Sequence, residues 1–147
     1  MESPRPQGTY RTASVVGDLV FVAGMTPRQN GELIYRGVVG GELSTDDARH
    51  ALRLATTNAI TAARQALPAG AWLLTCALLT VYLRTTEHFV DHAPIANAAS
   101  ETVIDELGEG TMGSRAVVGV ATLPGGSPVE VQLIAHWGRP ATQASIT

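Results

Sequence analysis

The chain has 147 residues, a length that suits one domain with a single hydrophobic core. Its formal net charge is −3 and its 10 basic residues are scattered, which argues against a nucleic-acid groove or a basic membrane patch. Charged residues make up only 16% of the sequence, so we expect another subunit to cover part of the apolar surface.

The single cysteine and the chain ends bear on the cellular setting. Cys76 lies inside an apolar run, which excludes an intrachain disulfide and predicts a buried thiol. The opening stretch MESPRPQG has no apolar segment like that of a signal peptide, and the apolar run at 72–79 is too short to span a bilayer. We predict one cytoplasmic domain over residues 1–147, with its core at about 8–138 and loose ends at 1–12 and 139–147.

Two turns are predicted near the start of the chain. The β-branched stretches Ser14–Val16 and Leu19–Gly24 flank Gly17-Asp18, a pattern typical of a β-hairpin. Asn30-Gly31 indicates a second turn, before a short strand at Glu32–Tyr35.

A helix is predicted to begin after Ser44, an N-cap residue, with Asp46 and Asp47 placed where the helix dipole favours negative charge. It should end at Leu67-Pro68. Its apolar positions are mostly alanine, so the helix can lie close against a sheet; they are Ala48, Ala51, Leu52, Ala55, Ala59, Ala62, Ala63 and Ala66.

The stretch Leu73–Leu83 is predicted to be a strand that is buried on both faces. Simple alternation assigns its apolar residues to two sets, with Leu74, Cys76 and Leu78 on one face and Leu73, Ala77, Leu79 and Val81 on the other.

The C-terminal half adds a helix and two strands. The helix is predicted at Ile95–Leu107, with Pro94 in its first turn and Gly108 after its end. The strands Ser114–Thr122 and Val129–Trp137 are expected to form a hairpin through the proline-glycine connection between them.

The predicted order of elements, β-β-β-α-β-α-β-β, indicates an α+β fold in which two helices cover one face of a mixed sheet. Two helices cannot cover both faces. Because the central strand is apolar on both sides, we predict a homo-oligomer in which the uncovered sheet faces pack against one another.

Four segments carry a distinctive combination of residues, and they are Gly8–Tyr10, Gly17–Pro27, Phe89–Ser100 and Ser114–Pro124, the last followed by Pro128–Val131. The second segment reads GDLVFVAGMTP. The fourth has an arginine, then β-branched residues and Leu-Pro, before Val-Glu-Val. In this order and spacing they resemble the Rid family, the YjgF-like reactive imine and enamine deaminases, some of which carry the label endoribonuclease L-PSP.

The resemblance implies a chorismate-mutase-like fold and a homotrimer with active sites in the clefts between subunits. It implies hydrolysis of reactive 2-imino or enamino acids to 2-keto acids and ammonia, without metal or organic cofactor. The expected partner is a small carboxylate-bearing substrate, not nucleic acid or a membrane.

Arg115 and Glu130 are the leading candidates for the site. A guanidinium at the head of an apolar strand suits a substrate carboxylate, and a charged hydrogen bond contributes about 1.5–3 kcal/mol. A buried Glu130 could position or deprotonate the water that attacks the imine carbon. The alternative is a strand-end arginine that pairs with an outward-facing Glu130 across the hairpin.

Further roles are carried over from the family. Tyr10 would close the pocket or hydrogen-bond the substrate, although it could be a packing residue, and Asn97 would offer its amide or simply lie on a helix surface. The backbone carbonyls of Gly24 and Val117 match positions that hold the attacking water, and Ala23 stands where the family often has serine.

Departures from the family pattern keep three interpretations open. Ala23 lacks the hydroxyl of the usual serine, Gly113-Ser114 replaces the usual residues before the arginine, and Val117 stands where known deaminases have cysteine. The chain could be a deaminase, a small-acid binding protein without this chemistry, or an enzyme of specialised metabolism that uses the cleft for another small acid.

Other polar residues are given structural interpretations. His88 and His92 are four positions apart, but Pro94 interrupts a helix there and no third metal ligand is evident, so we predict a solvated loop. The acidic balance of the chain makes ribonuclease activity an unattractive interpretation.

Overall fold

The computed structural model describes residues 2–140 and has a mixed five-stranded sheet with two helices on one face. The sheet has the strand order β1-β2-β7-β5-β6, and a separate hairpin is formed by β3 and β4. In chain order the elements are β1 (Ala13–Val16), β2 (Leu19–Val22), β3 (Arg28–Gln29), β4 (Glu32–Leu33), α1 (Thr45–Ala66), β5 (Trp72–Arg84), α2 (His92–Leu107), β6 (Met112–Val120) and β7 (Val129–Gly138). The predicted α+β architecture is confirmed.

The predicted turns and the first helix are confirmed in detail. β1 and β2 pair across Gly17-Asp18, and Asn30-Gly31 joins β3 to β4 with positive φ at both residues. The Ser44 hydroxyl accepts a hydrogen bond from the Asp47 amide at 3.1 Å, which satisfies a free donor of the first turn of α1.

The alanine stripe of α1 faces the sheet, as its small side chains predict. Its most buried members are at most 1% exposed, namely Ala48, Ala51, Ala55, Ala59, Ala62 and Ala63. On the outer side, Arg53 and Glu101 form an ion pair between α1 and α2 at 3.1 Å, and exposed pairs of this kind contribute about 0–1 kcal/mol.

The central strand β5 corrects the predicted alternation. Its register shifts between Leu73 and Thr75 and again between Cys76 and Leu78. Such an irregularity adds a residue and exchanges the faces, so Cys76 is buried on the helix side with Leu79 while Ala77 is exposed. Burial raises the pKa of the Cys76 thiol to about 11, consistent with the predicted buried thiol.

The predicted C-terminal hairpin is wrong. β5 lies between β6 and β7, pairing parallel with β6 and antiparallel with β7. The helix α2 supplies the crossover that a parallel β5–β6 pair requires. The connection through the turn at Pro124–Gly126 is long enough to step across β5 to its other edge.

The start of α2 also differs from the prediction. The helix begins at His92, and Pro94 is accommodated in its first turn, where the missing N–H leaves no hydrogen bond unmade. The His92 ring is half-buried and meets Phe89 edge to face at 5.3 Å, so the predicted loop is wrong at His92. His88 is exposed outside the helix.

The sheet face opposite the helices is uncovered in a single chain. It exposes large apolar side chains, namely Val16, Phe21, Leu74 and Val118. These lie on four of the five strands, so the uncovered area extends across the sheet.

The structure describes residues 2–12 at the start of the chain but only residues 139–140 of the predicted loose end at 139–147. Residues 2–12 form no helix or strand but run over the body of the domain, where Gln65 on α1 donates a hydrogen bond to the Ser3 hydroxyl at 2.8 Å. The predicted loose end at 139–147 lies outside the described residues from 141 onward. Within residues 2–140, no helix is both long and apolar enough to cross a membrane.

Candidate active site

Arg115 lies on the helix-facing side of the edge strand β6, level with Leu79 of β5. Its Nη1 donates to Asn97 Oδ1 at 2.8 Å and to Ser100 Oγ at 3.0 Å, both on α2. A guanidinium carries five N–H donors, and within residues 2–140 Arg115 forms no ion pair. Its remaining donors can therefore bind a carboxylate bidentately.

Ser100 is a candidate site residue that could not be found from the sequence. It is three residues after Asn97, and that spacing places two side chains on the same side of a helix. The spacing was visible in the sequence, but nothing there indicated that this side of α2 faces Arg115. Val117, also on the helix-facing side of β6, is half-buried against the core. We call Asn97, Ser100, Arg115 and Val117 the arginine half-site.

Glu130 lies on the uncovered face of β7, level with Tyr82 of β5. Its carboxylate covers the backbone of Gly24 so closely that a Cβ on Gly24 would overlap Oε1. Glycine is therefore required at position 24, because any side chain there would displace the Glu130 carboxylate.

The surroundings of Glu130 suit a proton acceptor. Burial raises the pKa of its carboxyl group above the ordinary value for glutamate. In the part of the chain that the structure describes, the carboxylate forms no ion pair. It borders a shallow cleft that is also lined by Gly24, Tyr82, Leu123 and Gln132.

Tyr10 and Ala23 lie on the same side of the domain as Gly24. The Tyr10 side chain is 48% exposed, and its hydroxyl accepts a hydrogen bond from the Gln7 amide at 3.0 Å. Tyr10 and Gly24 line one cavity, while Ala23 is half-buried just after β2 and its amide donates to the Thr12 carbonyl at 2.9 Å. We call Tyr10, Ala23, Gly24 and Glu130 the glutamate half-site.

The two half-sites do not meet within one chain. Arg115 is level with Leu79, and Glu130 is level with Tyr82, three residues further along the same strand. An odd separation on a regular strand places the two side chains on opposite faces of the sheet. The alternative interpretation, an Arg115–Glu130 ion pair across a hairpin, is therefore wrong.

The other histidines and acids are dispersed. His136 Nε2 lies 3.1 Å from Asp18 Oδ2, at the far end of β7 from Glu130. Among residues 2–140, no group of three or more histidine, cysteine, aspartate or glutamate side chains is placed to hold a metal ion.

Comparison with known proteins identifies the family. The sequence profile described as "YjgF/chorismate_mutase-like, putative endoribonuclease" matches residues 2–137. The chain belongs to this YjgF family. The resemblance found in its four sequence segments is confirmed, and its fold is the YjgF/chorismate-mutase-like fold.

Solved structures of similar proteins cover most of the chain. A "putative endoribonuclease" from Shewanella oneidensis is 27% identical, with a TM-score of 0.84 over 92% of this chain and 90% of that one. The protein Atu1372 of unknown function from Agrobacterium tumefaciens is 27% identical, with a TM-score of 0.79 over 87% and 81%. TdcF of E. coli, crystallised with bound serine, is 25% identical, with a TM-score of 0.63 over 91% and 92%.

Two departures from the YjgF pattern have different structural consequences. A Cβ at Gly113 would overlap the backbone carbonyl of Cys76, so glycine is required beside the irregular part of β5. Ala23, in contrast, only removes a hydroxyl from the glutamate half-site. The first change follows from strand packing, and the second removes a hydroxyl from the residue before Gly24.

Proposed function

We propose that the protein hydrolyses reactive 2-imino and enamino acids to 2-keto acids and ammonia, in sites that neighbouring chains of a homotrimer build together. The observation that carries the proposal is the pair of half-sites. One offers an arginine fork held by α2 and free of ion pairs within residues 2–140, and the other offers a half-buried carboxylate beside a glycine.

Arg115 takes the substrate carboxylate in this proposal. Asn97 and Ser100 both bind Nη1, so the plane of the guanidinium is fixed before substrate arrives. A preorganised fork loses less entropy on binding, and two parallel hydrogen bonds orient a planar carboxylate. The serine bound to TdcF is an amino acid of the size that such a site would hold.

Glu130 acts on water. Its raised pKa makes the carboxylate a stronger base than an exposed glutamate while leaving it able to return the proton. Glu130 accepts a proton from water as the oxygen bonds to the imine carbon, and the C=N electron pair moves to nitrogen, which takes up a proton from solvent. Glu130 then returns its proton to the nitrogen of the tetrahedral adduct. The C–N bond breaks as the hydroxyl group releases its proton to solvent, which forms the keto group and ammonia. Because free imines hydrolyse readily, orientation contributes most of the rate gain.

Assembly of chains brings the half-sites together. Since Arg115 and Glu130 lie on opposite faces of one sheet, a small acid cannot touch both within one chain. β6 is an edge strand, and the uncovered sheet face exposes Phe21 and Val118, so both surfaces are available to another copy. A closed ring would place the arginine half-site of one chain against the glutamate half-site of the next.

A second candidate is a small-acid binding protein that lacks this chemistry. Ala23 favours it, because the glutamate half-site lacks the serine hydroxyl found in many relatives. Tight binding of a keto acid without any turnover of imine would support this candidate.

The test is to generate a 2-imino acid in situ with an amino-acid oxidase and to follow its decay with wild type and Arg115→Ala. We expect wild type to accelerate hydrolysis above the spontaneous rate and Arg115→Ala to lose most of the gain. If wild type adds nothing to the spontaneous rate for several side chains, the deaminase proposal fails.

A further inference from the structure

A cavity of about 140 Å³ lies beneath the N-terminal segment. Its floor includes Gly24, Thr26, Arg28 and Asn58, and the segment above it contributes Pro4 and Tyr10. A cavity of about 150 Å³ holds a molecule the size of benzene, so this one can hold the side chain of an amino acid.

The cavity adjoins the proposed reaction centre through one residue. Gly24 lines both this cavity and the cleft that contains Glu130. An acid whose imine carbon lies at Glu130 can therefore direct its side chain past Gly24 into the cavity. The lining of the cavity then selects among side chains.

Arg28 gives the cavity its charge. Arg28 is half-buried, its Nε is buried without a hydrogen-bond partner, and Nη1 donates to the Gly31 carbonyl at 3.0 Å. The other lining cation, Arg5, is neutralised by Glu2 at 2.9 Å, whereas no carboxylate among residues 2–140 pairs with Arg28. A partly buried guanidinium without a counter-ion favours an anionic ligand.

We infer that the preferred substrates are dicarboxylic 2-imino acids and that Arg28 binds their second carboxylate. The inference rests on the proposed function, since it assigns the reacting end of the substrate to Glu130 and Arg115. Arg28 is a specificity-determining residue in this scheme, because it touches the substrate far from the bond that breaks.

A purely structural role for Arg28 must be separated from this one. Its Nη2 lies near Gly125, so the side chain also links the β3–β4 hairpin to the turn before β7. Arg36 provides the matched control. It is exposed, donates to the carbonyl of the same Gly125 at 3.3 Å, and does not line the cavity.

The experiment compares the imino acid of glutamate with that of norvaline, which lacks the second carboxylate. Both are generated in situ by amino-acid oxidases, and hydrolysis is followed with wild type, Arg28→Gln, Arg28→Lys and Arg36→Gln. We expect wild type to prefer the dicarboxylic substrate and Arg28→Gln to lower kcat/KM for it by roughly ten- to a hundredfold. For the imine made from norvaline, kcat/KM of Arg28→Gln should stay within about twofold of the wild-type value. Arg28→Lys should keep part of the preference for the dicarboxylic imine, because it keeps a positive charge. Arg36→Gln should leave kcat/KM unchanged for both imines.

A binding measurement covers the case in which Arg28→Gln is poorly folded. The dicarboxylic 2-oxoglutarate should raise the Tm of wild type more than 2-oxopentanoate does, and Arg28→Lys should keep part of this difference. An equal effect of Arg28→Gln on both substrates, or no preference in wild type, would overturn the inference and leave the deaminase proposal standing. Hydrolysis of neither imine by wild type would overturn both.

Discussion

Arg115 and Glu130 occupy opposite faces of one sheet, with β5 between their strands. Each has the surroundings of a functional group: the guanidinium is held by two side chains of α2, and the carboxylate has a raised pKa beside Gly24. Within one chain, a small molecule bound to Arg115 cannot reach Glu130. The proposed chemistry therefore requires chains to assemble.

Ser100→Ala should weaken substrate binding without changing the chemical step. It removes one of the two hydrogen bonds that orient Arg115 and leaves the one to Asn97. We expect KM to rise about three- to tenfold with kcat nearly unchanged, as measured by steady-state imine hydrolysis. Ser114→Ala is the control, because Ser114 lies next to Arg115 on β6 but on the opposite face of the sheet. A KM equal to that of wild type would show that Ser100 does not position Arg115.

Gly24→Ala should disable Glu130 by displacing its carboxylate. The added Cβ would overlap Oε1, and the end of a side chain moves more readily than the backbone. We expect kcat to fall on the order of a hundredfold, the size typical for loss of a general base. In the Glu130→Ala background, Gly24→Ala should lower kcat little further, because the carboxylate that the added Cβ would displace is already absent. If the two substitutions instead lower kcat by independent factors that multiply in the double variant, Gly24 and Glu130 are not coupled in this way.

The pH dependence should report Glu130. Since only the carboxylate accepts a proton, kcat/KM should fall as pH decreases through its pKa, which burial places above the usual glutamate range. Glu130→Gln should remove this inflection. A profile whose acidic limb is the same in wild type and Glu130→Gln would assign the base elsewhere.

The raised pKa of Glu130 also predicts how the free energy of unfolding changes with pH. The folded-state pKa of Glu130 lies above the unfolded value, so folded protein binds more protons in the window between the two. Stability should therefore fall as pH rises through that window, and at neutral pH Glu130→Gln should be more stable than wild type. Thermal denaturation from acid to neutral pH measures both effects, and a neutral-pH Tm for Glu130→Gln below that of wild type would contradict the sign.

Val118→Asp should break the assembly. Val118 is 45% exposed on the uncovered face of β6, where a charge would be buried if another chain packs there. Analytical ultracentrifugation should give a lower mass for this variant and an unchanged mass for Val90→Asp, which alters a residue 81% exposed outside the sheet. Equal masses for wild type and Val118→Asp would refute packing through this face.

Local signals in the sequence predicted most of the fold. The Ser44 cap, the alanine stripe of α1 and the Asn30-Gly31 turn each depend on neighbouring residues, and each is found where expected. The face assignment of Cys76 failed because periodicity cannot reveal a register shift. The C-terminal hairpin failed because nothing local shows that β5 inserts between two strands that follow one another in the chain.

The candidate site was predicted less completely than the fold. Family motifs pointed to Arg115, Asn97, Gly24 and Glu130, and the structure gives each a partner or a neighbour that suits its proposed role. The resemblance implied sites between subunits, but the assignment of these residues to two half-sites could not be foreseen, since the faces depend on β5 lying between β6 and β7. Ser100 was missed for a related reason, because its partner lies on a different element.

A mixing experiment tests the central claim most directly. Arg115→Ala and Glu130→Gln are each prepared alone and then co-assembled in equal amounts, and imine hydrolysis is measured for all three samples. If each site takes Arg115 from one chain and Glu130 from its neighbour, about a quarter of the sites in the mixture are intact, and activity should recover to about that share of wild type. Activity in the co-assembled sample no higher than the mean of the two separate variants, with wild type active, would contradict a site shared between chains.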